Sequence, residues 1–241
     1  MNCKAGDCME NAILLASCMG TRMRPLTETT PKPLIKVGNK PMIETVIDGL
    51  QKRGVDRIVV VVGYLGEQFD YLKEKYHNIT IVHNTVYEKI NNISSVFAAK
   101  ETLLQGNCFI CEADLYVSDD SIFLPELSQS CYYGKMVKGH SEDWVFDQND
   151  KGIITRVGKV GDDCYNMTGV AYFKEDDARV LYDIINAEYG ISGYKNMFWD
   201  DVVNKHIKEF SLMVHPVEHS QIVEIDTVEE LEEVCRRLEK L

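Results

Sequence analysis

Residues 11–17, Asn-Ala-Ile-Leu-Leu-Ala-Ser, form a short unbroken apolar run that opens into a segment rich in glycine, proline and positive charge. A run without alternation predicts a strand covered on both faces. Residues 57–63, Arg-Ile-Val-Val-Val-Val-Gly, repeat the pattern with β-branched side chains. Between them Ile43, Val46, Ile47 and Leu50 recur at helical spacing, with Pro41 at the start and Gly54 at the stop, which predicts a helix. The chain then reads as a charged helix over 66–76, a strand over 79–84, a helix over 94–106, and a strand over 107–114 that ends in acids. Strands alternating with helices imply parallel pairing with helices on both faces.

After Asp119 the rhythm loosens. Residues 131–139, 144–157 and 168–174 predict strands, the second with an Asn-Asp-Lys-Gly turn. Helices are predicted over 175–189 and 200–210, then a strand over 212–217. A closing helix follows over 227–241, with Thr227 as N-cap and Glu230 completing a capping box. The expected fold class is α/β: one Rossmann-like, mostly parallel sheet flanked by helices, with an inserted second half, in a single domain spanning 1–241.

Composition narrows the function classes. The net charge of −12 argues against nucleic acid and anionic membrane as partners. No apolar run approaches the length of a membrane span and the N-terminus lacks a basic, hydrophobic leader, so a cytoplasmic location is expected. The eight cysteines predict reduced, mostly buried thiols. Cys108 and Cys111 have metal-like spacing, but three residues along a strand place them on opposite faces. None of the six histidines falls into a ligand cluster.

Against this acidic background, residues 20–40 carry Arg22, Arg24, Lys32, Lys36 and Lys40 against one acid, Glu28, a local net of +4. In an open parallel sheet, ligands bind beyond the carboxyl ends of the strands, which sets this loop beside the acids after residue 111. Backbone N–H groups and cations converging on one spot suit a polyphosphate, and an aspartate at the neighbouring strand end suits Mg²⁺.

The residues that give this pattern a name are Gly20, Thr21, Arg22, Pro31 and Lys32, directly after the first strand. They resemble the signature of nucleotidyltransferases that couple a nucleoside triphosphate to a phosphate-bearing substrate. The resemblance implies a nucleotide-diphospho-sugar transferase type of fold, with about 11–118 as the nucleotide-binding half and about 119–241 as the acceptor-binding half and closing helix. It implies that Arg22 and Lys32 are catalytic, that Leu15, Ala16, Ser17, Gly20, Thr21, Arg22, Asn92 and Ser94 line the nucleotide site, and that Asp114 and Asp226 hold Mg²⁺. One position departs from the family pattern: Cys18 stands where a glycine is usual, so either a strained loop or a loop that closes only on binding is expected.

Residues 58–76, 91–97 and 198–203 most resemble the bacterial cytidylyltransferases that join CTP and phosphocholine. By that resemblance Trp144, Phe198, Trp199, Asp200 and Glu224 form the acceptor site, since a quaternary ammonium needs aromatic faces and a nearby carboxylate. The expected substrates are CTP and phosphocholine, with the oligomeric state left open between monomer and homodimer. Three alternatives stand beside this: the same reaction with 2-aminoethylphosphonate or phosphoethanolamine, a sugar-1-phosphate nucleotidyltransferase, and a nucleotide-binding module without catalysis.

Overall fold

Residues 9–239 are described by a computed structural model of the chain. The first apolar run is strand β1 (Glu10–Ala16). A small hairpin, β2 (Lys36–Val37) and β3 (Lys40–Pro41), leads into α1 (Met42–Arg53), then β4 (Arg57–Val62), α2 (Tyr71–Lys75), β5 (Ile79–His83), α3 (Ile93–Ala98), β6 (Asn107–Glu112) and β7 (Leu115–Val117). The second half holds β8 (Cys131–Gln148), β9 (Ile154–Phe173), α4 (Glu175–Glu188), α5 (Trp199–Lys205), β10 (Met213–Pro216), β11 (Ile222–Glu224) and α6 (Val228–Leu238).

Seven strands form one sheet in the order β10-β8-β9-β6-β1-β4-β5. The β6-β1-β4-β5 block is parallel, β9 runs antiparallel to β6 and β8, and β10 is parallel to β8. Alternation along β1 sorts the core. Ala12 and Leu14 pack with Ile43, Val46, Ile47 and Leu50 of α1 on one face, and Ile13 and Leu15 pack with Ile93, Val96, Leu181 and Val202 on the other. Helices therefore cover both faces, which is why β1 and β4 read as continuous apolar runs. Cys108 and Cys111 fall in these two opposite layers. A smaller cluster of Met23, Ile35, Val37, Met42, Ile225 and Val234 seats α6 against the basic loop. Cys3 and Cys8 lie outside the described residues.

Helix α1 runs as its pattern predicts, with Pro41 as N-cap and Gly54 as a left-handed C-cap at φ 90°. The capping box of Thr227 and Glu230 is present at α6. Three predicted helices are shorter than their patterns. The 66–76 segment splits into a 3-10 turn, Gly66–Phe69, and α2, after Leu65 takes a left-handed conformation at φ 48°. Helix α3 passes at Ala99 into a 3-10 turn, and α5 stops at His206 before another.

The three strands predicted after residue 131 are two long ones, β8 and β9, joined where Asn149 Oδ1 accepts from the backbone N–H groups of Lys151 and Ile153. Their hairpin outruns the sheet and curls. Val145 and Phe146 pair with Gly158 and Val157 on one side and with Asn166 and Tyr165 on the other, through several bulges. Since β9 runs antiparallel to β6, this arm projects beyond the carboxyl edge of the parallel block and walls the cleft there.

Candidate active site

The basic loop begins where β1 ends. Leu15 and Ala16 are buried in the strand, and the Ser17 hydroxyl donates to Val61 O at 3.1 Å, tying β1 to β4. Cys18 is exposed and its backbone lies outside the left-handed region, so the glycine usual in the family is not required for this path and the expected strain is absent. Gly20 is different. Its φ is 57°, and a Cβ there would stand 2.7 Å from Lys32 Cβ. The loop thus lies directly on the Lys32 stem, which only glycine permits. Thr27 Oγ1 donates to Gly20 O at 2.9 Å, Tyr64 Oη to Glu28 O at 3.3 Å, and Gln68 Nε2 to Thr29 O at 2.9 Å, which fix the loop against the turn after β4.

Lys32 opens a 3-10 turn and its side chain is 4% exposed. Nζ donates to Asp114 Oδ2 at 2.6 Å and to Asp226 Oδ1 at 2.5 Å. Arg22, 68% exposed on the turn Thr21–Met23, also meets Asp226 Oδ1, at 2.7 Å. Thr21 is exposed beside it. The two acids are far apart in sequence and are brought together by backbone pairing: β11 lies antiparallel to β7 with Glu224 opposite Leu115, and Ile225 N donates to Asp114 O at 3.2 Å. Glu230 Oε2 then accepts from the N–H groups of Asp226 and Thr227, so the cap of α6 also fixes Asp226.

Asp114, Glu224 and Asp226 offer oxygens within 4.8 Å of one another. Burial disfavours the Lys32 charge, but Asp114 and Asp226 outweigh it and hold the ammonium above its ordinary range. Desolvation, with Asp114 and Asp226 beside it, pushes the Glu224 carboxyl up to about 8. Glu112, at the end of β6, is raised well above the carboxylate range by burial and by Asp114, Asp200 and Glu224. Ionising these acids together is therefore costly, and a bound cation would favour their charged forms.

Asn92 links the two halves: Nδ2 donates to Glu112 Oε1 at 3.2 Å and Oδ1 accepts from Trp199 N at 2.9 Å. Ser94 is buried in a network in which Asn84 Nδ2 donates to its hydroxyl at 2.8 Å, and that hydroxyl donates to Asn91 O. Ser94 thereby anchors α3 to the end of β5.

The residues expected around the acceptor separate. Trp144, at the curled part of β8, and Phe198 meet edge to face with centroids 5.6 Å apart. Lys159 Nζ stands 5.7 Å from the Trp144 ring centroid. Trp199 lies in the core, 4% exposed, stacked on Tyr132 and edge-on to Phe173, which corrects its expected place as a cage wall. Helical phase explains this: Trp199 starts α5 facing the sheet, while Phe198 precedes it. Asp200 is also buried and accepts from Tyr132 Oη at 3.0 Å; burial pushes its carboxyl up to about 7 despite that bond.

Two cleft residues escape the sequence reading. Glu112 is visible there only as part of a strand that ends in acids. Lys135 on β8 is half-buried with no hydrogen-bond or ion-pair partner among the described residues; desolvation lowers its pKa while Glu224 opposes that shift. A lone lysine in the apolar segment 131–137 was the available signal.

The Nucleotidyl transferase family profile matches residues 11–145. A 2-aminoethylphosphonate cytidylyltransferase of Lancefieldella rimae is 54% identical over 233 residues, covering 96% of this chain and 95% of that protein. A choline-phosphate cytidylyltransferase of Streptococcus pneumoniae is 35% identical, over 93% of this chain and 98% of its own length. The solved structure of the CTP:phosphocholine cytidylyltransferase of Streptococcus pneumoniae superposes with a TM-score of 0.88 at 33% identity, covering 95% of this chain and 99% of that one. Among the described residues no helix is long and apolar enough to cross a membrane. With the family profile matched over more than half of the chain and a 54% identical relative matched over nearly the whole length of both proteins, the chain belongs to the Nucleotidyl transferase family and is a nucleotidyltransferase.

Proposed function

We propose that the protein transfers a cytidylyl group from CTP to 2-aminoethylphosphonate, releasing pyrophosphate. An oxygen of the acceptor's phosphonate attacks the α-phosphorus in line, the new P–O bond forms, and the bond from the α-phosphorus to the β-phosphate oxygen breaks. The nucleophile is already an anion near neutral pH, so no residue is needed as general base. Positioning and charge neutralisation carry the reaction.

Lys32 and Arg22 lie at the loop that receives the triphosphate and balance the charge of the departing pyrophosphate. Gly20 and Thr21 present backbone to it. Lys135 holds the acceptor's phosphonate at the opposite wall. Asp114 Oδ1 is buried with no hydrogen-bond partner among the described residues, and with Glu224 and Asp226 it completes an all-oxygen donor set that fits Mg²⁺. Mg²⁺ held by these oxygens would supply charge neutralisation for the reacting phosphates.

The acceptor choice rests on what the aromatic residues do. Trp199 is in the core and the Trp144 ring already has the Lys159 ammonium near it, which leaves an incomplete cage for a quaternary ammonium. The 54% identical 2-aminoethylphosphonate enzyme supports the same choice. Phosphocholine is the second reading, favoured by the Trp144–Phe198 pair and by the 35% identical relative. Pyrophosphate release with CTP and Mg²⁺ tests the two: kcat/KM should be highest for 2-aminoethylphosphonate, ahead of phosphoethanolamine, phosphocholine and glucose-1-phosphate. A preference for phosphocholine would overturn the acceptor assignment.

A further inference from the structure

Three buried side-chain oxygens lack a hydrogen-bond partner among the described residues: Asn11 Oδ1, Asp114 Oδ1 and Asn166 Oδ1. Asp114 belongs to the acidic cluster. Asn11 sits at the start of β1, the end away from the cleft. Asn166, on the curled part of β9, has no such account. Its orientation is set by chemistry: Nδ2 donates to Asp143 Oδ2 at 3.0 Å, and a flipped carboxamide would turn oxygen against a carboxylate.

Asn166 pairs with Lys135 on one side and with Val145 on the other. Residues directly opposite share a face of the ladder, so Asn166 and Lys135 stand side by side. Three residues along β9, Gly169 lies against Glu112, where a Cβ would stand 3.2 Å from Glu112 Cβ, so this stretch of the hairpin runs beside the acidic cleft, and the field of Glu224 reaches Lys135. Asp143, on β8, meets Asn166 across the hairpin, while Trp144, next along the strand, turns to the other face with Phe198. A cation for the phosphonate, a directed oxygen acceptor and a carboxylate therefore follow one another along this wall.

We infer that Asn166, oriented by Asp143, accepts a hydrogen bond from the primary ammonium of the acceptor and so selects it over a quaternary ammonium. This rests on the reaction proposed above. A primary ammonium brings three N–H donors; a trimethylammonium brings none and leaves the carboxamide oxygen unpaired behind its methyl groups. Asp143 contributes charge and holds the carboxamide, and Asn166 supplies the direction.

The test compares 2-aminoethylphosphonate with its N,N,N-trimethyl analogue, the latter as substrate or as competitive inhibitor, in wild type, Asn166→Ala and Asp143→Ala. Asn166→Ala should lower kcat/KM for the primary amine about 30-fold and change the trimethyl analogue less than about threefold. Asp143→Ala, at an exposed position that tolerates truncation, should give a smaller loss of the same selectivity and decides the matter if Asn166→Ala does not fold. Equal losses for both acceptors in an active enzyme would overturn the inference alone. Wild type silent with CTP and every acceptor would overturn the reaction on which it rests.

Discussion

Replacing Lys32 by alanine separates its two roles. In the wild type its ammonium makes contacts of 2.6 and 2.5 Å to Asp114 and Asp226, whose side chains are 13% and 22% exposed. Truncation leaves Asp114 without its ion-pair partner and Asp226 with Arg22 alone. Breaking a fully buried pair costs about 3–5 kcal/mol. Partial exposure screens these acids, and about 1–2 kcal/mol is expected here. For a chain of this size that lowers Tm by roughly 3–8 °C. Mg²⁺ should restore most of that loss, because the same oxygens gain a divalent cation in its place. Turnover should not be restored. A preorganised charge donor to a departing anion is worth about 2.7–4 kcal/mol in the transition state. That is a fall of about 10²–10³ in kcat. Thermal melts with and without Mg²⁺, run beside saturating pyrophosphate-release kinetics, read both effects. A variant with kcat within about threefold of wild type would refute the assignment of Lys32 to the triphosphate.

Other residues give sharper signatures of single steps. Lys135→Ala should raise KM for the acceptor about tenfold or more, as expected for a lost charge-assisted hydrogen bond, and leave KM for CTP unchanged; equal effects on both substrates would remove Lys135 from the acceptor wall. Gly20→Ala forces a Cβ against the Lys32 stem and should cut kcat with little change in overall fold by circular dichroism; an unaffected rate would show that the loop does not position Lys32. His206 is held by Glu188 at 2.8 Å and Glu209 at 2.6 Å, and Glu188 above all raises it from its ordinary value of 6.5. A raised folded-state pKa means the stabilisation is complete below 6.5 and is lost as pH climbs through the higher folded value. The Tm advantage of wild type over His206→Gln should therefore shrink as pH rises above 6.5, and an advantage that grows would contradict the ion pairing.

The parallel half of the sheet was legible because both its faces are covered, which leaves continuous apolar runs for β1, β4 and β6 with a periodic helix, α1, after the first of them. The basic loop and both acids were legible because charge stands out in an acidic chain and because strand ends mark the ligand edge. The short strands β7 and β11 were not, since three-residue elements carry no period, yet their pairing is what joins Asp114 to Asp226. The curl of β8 and β9 was also hidden: bulges reset the inside-outside alternation and so conceal which side of the hairpin Lys135 and Asn166 occupy. Trp199 misled for a related reason. A tryptophan beside acids suggests a ligand wall, but its position one residue after Phe198 turns it into the core.

The most direct measurement follows oxygen. With 2-aminoethylphosphonate labelled in all its phosphonate oxygens, CTP and Mg²⁺, phosphorus NMR of the products should show one labelled oxygen bridging to the cytidylyl phosphorus, full label on the phosphonate, and none in pyrophosphate. Label in pyrophosphate, or release of phosphate without a conjugate, would contradict attack by the acceptor on the α-phosphorus in this cleft.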